Sequence, residues 1–121
     1  MDKTVLIIED DRDIQDYYQV VLGDLGINIL QAENGLEGLN AIDSGEKIDL
    51  IILDIVMPVM DGEEFLRELR LNRKSELPVI LSSVDDVSAS RLEKVAKVQG
   101  SFFKLARVDE LRSMIRNYLT Q

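Results

Sequence analysis

The sequence predicts a doubly wound α/β fold built on a parallel sheet. Three observations carry this. Short continuous apolar runs recur along the chain, longer segments with helical spacing lie between them, and the two kinds alternate five times. Continuous rather than alternating runs suit strands buried on both faces, as in a parallel sheet. Parallel neighbours need crossover connections, which the helical segments supply.

The first strand is read at Val5 to Ile8. It is followed by a helix in which Ile14, Tyr17, Tyr18, Val21, Leu22 and Leu25 recur at i, i+3, i+4, i+7, i+8 and i+11. The second strand is read at Ile27 to Leu30, and its helix carries Leu36, Leu39 and Ile42. The third strand is Leu50 to Leu53, with Phe65, Leu66 and Leu69 in the helix after it. The fourth is Val79 to Leu81. The helix that follows, Val87 to Val98, is the least clear, with Leu92, Val95 and Ala96 among Ser and charge. The fifth is Phe102 to Phe103, followed by a helix with Leu111, Met114, Ile115, Tyr118 and Leu119. Gly26, Gly45 and Gly100 each separate a helical segment from the next strand, where a helix often ends in a left-handed residue. Pro58 and Gly62 read as turn chemistry, with Asp61-Gly62 opening the third helix. Tyr17, Tyr18 and the methionines read as core or loop filler.

At 121 residues and 45% hydrophobic, the chain is the size of one domain, predicted to run over residues 1–121. No linker, repeat or low-complexity tract interrupts it. The net charge of −9 argues against a chain that works by neutralising nucleic-acid phosphate or anionic lipid. The charge is uneven: residues 1–60 hold 3 basic and 13 acidic side chains, residues 61–121 hold 11 and 10. The absence of Cys excludes disulfides and thiolate chemistry. The absence of His removes the commonest general base, the usual zinc ligand and the serine-hydrolase relay. With no Trp and 5% aromatics, a nucleobase or sugar platform is not expected. Apolar runs fall far short of the roughly 20 residues of a membrane span. Met1-Asp2-Lys3 lacks the apolar stretch of a signal peptide, so a cytoplasmic location is expected.

Doubly wound sheets bind ligands beyond the carboxyl ends of their strands. The first strand ends in Glu9-Asp10-Asp11 and the third in Asp54. As neighbours in a parallel sheet, these strands would crowd Glu9, Asp10 and Asp54 into one pocket. Two carboxylates about 4 Å apart repel by roughly 4 kcal/mol at an effective dielectric near 20, so a cation is the natural resolution. An all-oxygen donor set points to a hard ion, Mg²⁺ before Zn²⁺. The plainer alternative has Asp11 or Asp13 capping the next helix and the other acids solvated. For Glu9 and Asp10 both readings stay open on the residues alone. The fourth strand ends in Ser82-Ser83 and the fifth in Lys104. A hydroxyl and an ammonium facing a carboxylate–Mg²⁺ cluster suit a phosphoryl ligand.

These residues carry a resemblance. VLIIEDDRDI, DLIILDIVMPVMDG (Asp49 to Gly62) and LPVILSS together resemble the receiver domain of bacterial two-component response regulators, over essentially the whole chain. The Asp-x-x-Met-Pro-x-Met-Asp-Gly run from Asp54 is the most specific part. The resemblance implies a flavodoxin-like (βα)5 sandwich with a parallel five-stranded sheet in the order 2-1-3-4-5. It implies that Asp54 is phosphorylated by a histidine kinase or histidine phosphotransfer protein. Mg²⁺ would be held by Glu9 through water, by Asp10, by Asp54 and by the backbone carbonyl of Val56. Ser83 and Lys104 would follow the phosphoryl group and shift the surface formed by the fourth helix, fifth strand and fifth helix. Val56 and Asp85, two residues past Asp54 and Ser83, are expected to tune dephosphorylation from beside the pocket. The product is a signal, so the chain is not expected to be classed as an enzyme, and its output partner is left open.

Three positions depart from the family pattern. Leu105 follows Lys104 where the family usually has Pro after a cis bond, so either a rearranged trans loop or a strained cis bond is expected. Ser101 stands where the family commonly has a rotating Tyr or Phe, and strand alternation turns one of Phe102 and Phe103 into the core. Lys97-Val98 stand near where a Gly-Ala pair is common. A second reading is therefore a receiver-fold binding module that signals without phosphorylation. A third, a haloacid-dehalogenase-like phosphatase with an Asp-x-Asp pattern after the first strand, ranks last because Asp54 is followed by Ile55 and Val56, and Asp11-Arg12-Asp13 reads as a helix start. Arg91, Lys94 and Lys97, with Arg112 and Arg116, read either as a dock for an acidic partner or as solvated helix faces.

Overall fold

Strand and helix alternate five times in the computed structural model, which describes residues 3–84, 86–104 and 108–120. The strands are β1 (Thr4–Ile8), β2 (Asn28–Ala32), β3 (Leu50–Asp54), β4 (Val79–Ser83) and β5 (Gly100–Phe103). The helices are α1 (Arg12–Gly23), α2 (Gly35–Asp43), α3 (Gly62–Arg67), α4 (Asp86–Val95) and α5 (Val108–Leu119). All strand pairs are parallel and the sheet order is β2-β1-β3-β4-β5, as the resemblance implied.

The burial of each strand follows its place in the sheet. The central strands β3 and β4 are buried at every position, whereas the edge strands β2 and β5 are only partly covered. Because side chains alternate between faces, the apolar runs feed two cores. Leu6, Ile8, Ile51, Leu53 and Leu81 meet α2, α3 and α4 through Leu39, Phe65 and Leu92. Val5, Ile7, Leu50, Ile52 and Ile80 meet α1 and α5 through Tyr18, Leu22, Leu111 and Ile115.

Helix starts are written in side-chain caps. Asp11 accepts from the Asp13 and Ile14 amides, Asn34 from Glu37 N and Asp61 from Glu64 N. The cap is thus Asp11, while Asp13 lies in the first turn. Several expectations need correction. β2 begins one residue and ends two residues later than its apolar run, because Lys3 O holds Asn28 N at 2.8 Å and the ladder runs from Thr4↔Asn28 to Ile8↔Ala32. Gly26 and Gly45 have positive φ, but Gly100 does not; it is the first residue of β5, and a Cβ there would sit 3.0 Å from Tyr118 Oη. Leu36 is exposed, on the outer side of the packed stripe of α2. The α3 segment runs on into a π-helical turn over Glu68–Asn72, which apolar spacing does not announce.

Candidate functional site

The carboxyl ends of β1, β3, β4 and β5 lie along one edge, and the sequence places an acid, hydroxyl or ammonium at each. The β1–β3 ladder ends with Ile8↔Leu53, which sets Glu9 beside Asp54. Glu9 is buried: its amide donates to Ala32 O at 3.0 Å and its Oε2 accepts from Asp11 N at 3.1 Å. Asp54 is buried too, whereas Asp10 faces solvent. One carboxylate oxygen from each of the three lies within 4.8 Å of the others.

Lys104 closes this cluster. Its amide donates to Ser83 O at 2.7 Å, extending the β4–β5 pairing past Phe103. Its ammonium lies 3.0 Å from Glu9 Oε1 and 3.1 Å from Asp54 Oδ1. Burial, with the neighbouring Asp54 charge, pushes the Glu9 carboxyl up to about 7. Burial also raises the Asp54 carboxyl against the pull of Lys104. Burial works against the Lys104 charge, but its ion pairs with Glu9 and Asp54 hold the ammonium above its ordinary value.

The donor set fits a divalent hard cation. Three carboxylates converge, all donors are oxygen, and Asp54 Oδ2 is buried with no hydrogen-bond partner among the described residues. Next to it, Asp54, Val56, Ser83, Ser88 and Lys104 line a cavity of about 90 Å³, large enough for a small oxyanion. Val56 itself is exposed. On the other side, Glu9, Asp10 and Gln15 border an open acidic cavity of about 500 Å³. The structure thus brings together Glu9, Asp10, Asp54, Val56, Ser83 and Lys104. Asp85 and Leu105 lie outside the described residues, so the expectations placed on them have no structural counterpart here.

The loop from Asp54 to α3 is tightly built. Met60 N donates to Pro58 O at 2.7 Å across Val59, whose φ is 68°, so Val59 heads a γ-turn in a conformation costly for a β-branched residue. Gly62 N donates to Ile55 O, and a Cβ on Gly62 would lie 2.7 Å from Asp54 O and 2.8 Å from Ile55 Cα. Gly62 opens α3 behind its Asp61 cap as expected, and it is a close-approach residue there, not a turn residue.

One polar residue went unread in the sequence. Gln15 sits on the inner side of α1, and its Nε2 donates to Ile7 O, Glu9 O and Ala32 O at 3.2, 3.0 and 3.1 Å. The signal available was its phase: Gln15, Tyr18 and Leu22 follow i, i+3, i+7 on the buried stripe. Tyr18 is core as read, edge-on to Phe102, and its hydroxyl donates to Ser82 Oγ at 3.2 Å.

The face made by α4, β5 and α5 differs. Ser101 is half-buried, Phe102 is in the core and Phe103 is exposed. Arg91 pairs with Glu63 and Arg112 with Asp24, so two of the basic residues are spent within the chain.

Comparison with known proteins agrees with this geometry. Residues 5–116 match the family described as the response regulator receiver domain. The chain belongs to that family. It is 40% identical over 101 residues to the sensor histidine kinase CheAY of Helicobacter pylori, covering 82% of this chain and 12% of that protein. It is 28% identical to the sporulation initiation phosphotransferase F of Bacillus subtilis, covering 98% of this chain and 95% of that protein. The solved response regulator protein TrrA of Thermotoga maritima, in complex with Mg(2+)-BeF, superimposes with a TM-score of 0.85 at 30% identity, over 97% of this chain and 99% of that one. The flavodoxin-like order 2-1-3-4-5 is that of these receiver domains. Receiver domains are signalling switches of two-component systems that bind Mg²⁺ at an acidic pocket and interact with histidine kinases and phosphotransfer proteins. Among the described residues, no helix is long and apolar enough to cross a membrane.

Proposed function

We propose that residues 1–121 form a single receiver domain in which Asp54 accepts a phosphoryl group from a phosphohistidine of a histidine kinase or phosphotransfer protein. The observation that carries this is the convergence of Glu9, Asp10 and Asp54 with Lys104 bonded to two of them. Bound Mg²⁺ would supply positive charge that offsets the negative charge of carboxylate and phosphoryl group. Glu9, Asp10, Asp54 and the Val56 carbonyl would hold it.

The chain's own residues do the rest by position and charge. An Asp54 carboxylate oxygen attacks phosphorus; the P–N bond to the donor imidazole breaks as the P–O bond to Asp54 forms, and the imidazole leaves as a neutral base with a proton from solvent. Lys104 exchanges its bond to Asp54 for one to a phosphoryl oxygen, and Ser83 donates to another across the 90 Å³ cavity they share. Because Ser83 ends β4 and Lys104 directly follows β5, their movement shifts the α4–β5–α5 surface, a population change between two states. Val56 and Asp85 set how water reaches the acyl phosphate. The chain works as a cytoplasmic switch, not an enzyme, and binds neither nucleic acid nor membrane itself.

Acetyl phosphate labelling tests this. The wild-type chain should be labelled in the presence of Mg²⁺, with no label after chelation or in Asp54→Asn. Label persisting in Asp54→Asn would remove Asp54 from its role, and an unlabelled wild type would favour a binding module that signals without phosphorylation.

A further inference from the structure

We infer that Gln15 is a positioning residue for the cation site, its buried amide joining the ends of β1 and β2 so that Glu9 and Asp10 face Asp54 at the spacing a divalent ion needs. This rests on the reading of Glu9, Asp10 and Asp54 as the cation ligands.

The backbone ladder between β1 and β2 stops at Ile8↔Ala32, one residue before the first ligand. Beyond it, Glu9 N still reaches Ala32 O at 3.0 Å. Gln15 then spans the gap from the helix side, with one nitrogen donating to the carbonyls of Ile7, Glu9 and Ala32. An amide group offers two hydrogens, so three acceptors at 3.0–3.2 Å share them. Three carbonyls around one atom require that atom to be the nitrogen. The amide oxygen is buried with no partner among the described residues, so the donors alone hold the group in place.

Glu9 is therefore gripped by α1 twice. Its carbonyl is bonded by Gln15 Nε2, and its carboxylate by Asp11 N at the helix start. With both ends tied to one helix, the direction of the carboxylate is fixed relative to Asp54. Mg²⁺ demands near-ideal octahedral geometry, so small displacements of its ligands are costly. Partners that orient metal ligands from behind typically change metal affinity 10–100-fold when removed.

The test is a Mg²⁺ titration of the whole chain by calorimetry, on wild type, Gln15→Met and Tyr18→Phe. Gln15→Met keeps the side-chain volume and removes the donors. Tyr18→Phe removes another buried hydrogen bond made by α1, the one to Ser82, and serves as the structural control. Gln15→Met should weaken Mg²⁺ binding by about tenfold or more, while Tyr18→Phe stays near wild type even where its thermal midpoint falls equally. Wild-type affinity in Gln15→Met overturns the inference. Should Gln15→Met fail to fold, the wild type decides: the Gln15 side-chain NH₂ signals in an NMR titration should move with the same Mg²⁺ midpoint as the Asp10 amide, and signals that stay in place overturn it. A wild type that takes up no Mg²⁺ overturns the cation site itself, and this inference with it.

Discussion

The two ends of β5 serve regions built on different principles. At its carboxyl end, Lys104 enters a pocket whose acidic members follow or end the inner strands β1 and β3 in parallel register. Three residues earlier, Ser101 belongs to the α4–β5–α5 face, where a small hydroxyl replaces the aromatic expected of the family. The pocket is held by backbone: Lys104 N bonds Ser83 O whatever stands at position 101. The face lies at the sheet edge, where β5 is only partly covered and Phe103 is exposed, while Leu92, Phe102, Leu111 and Ile115 anchor its elements to the cores from behind. The acidic pocket can thus stay complete while outward residues of the face differ from the family pattern, because none of its bonds passes through their side chains.

Removing the cation of the pocket should break this contrast most severely. Lys104→Met leaves Glu9 and Asp54 buried without their ammonium, and should cost about 3 kcal/mol at pH 8 in urea unfolding without divalent ion. The loss should shrink at pH 5, and Mg²⁺ should restore part of it; a variant as stable as wild type at pH 8 would show that the ion pairs contribute nothing.

A pH series comes next. Glu9 titrates near 7 in the folded chain against 4.5 as its ordinary value, so the native state holds its proton more tightly than the unfolded state. Stability without divalent ion should therefore fall as pH rises from about 4.5 to about 7 and level off above, with Asp54 adding in the same direction. Thermal midpoints between pH 4.5 and 8 would check this. Glu9→Gln should flatten the slope, and millimolar Mg²⁺ should reverse it because the ion competes with the proton.

On the other region, Arg112→Ala should cost only about 0.5–1 kcal/mol, since it removes a surface pair and one bond to Val21 O. Its Mg²⁺ affinity should match wild type. The smallest effect is expected from Ser101→Tyr, which should leave the labelling rate within about twofold, because no side chain of the acidic cluster bonds to position 101. A larger change would measure how strongly the proposed shift of the face acts back on the pocket.

Much of the fold was legible because parallel strands buried on both faces are continuous apolar runs, as in LIIL before Asp54. The same logic exposed the site: residues just past such runs must gather on one edge, so Glu9, Asp10, Asp54, Ser83 and Lys104 could be named together. What escaped depends on contacts between distant segments. β2 starts one residue and ends two residues later than expected because its register is set by Lys3 O and β1, not by its own hydropathy. Gln15 looked like an ordinary polar helix residue, since its three acceptors come from β1 and β2. The π-helical turn after α3 has no signature in apolar spacing.

Gly62 has a consequence for Asp54 itself. The eighth residue beyond Asp54 presses its bare backbone against the peptide that follows the aspartate, and its amide is anchored there. An alanine at that point would have to push Asp54's own carbonyl out of line. The placement of Asp54 thus depends on the absence of a single methyl group, at the head of a helix that adds no carboxylate to the cluster.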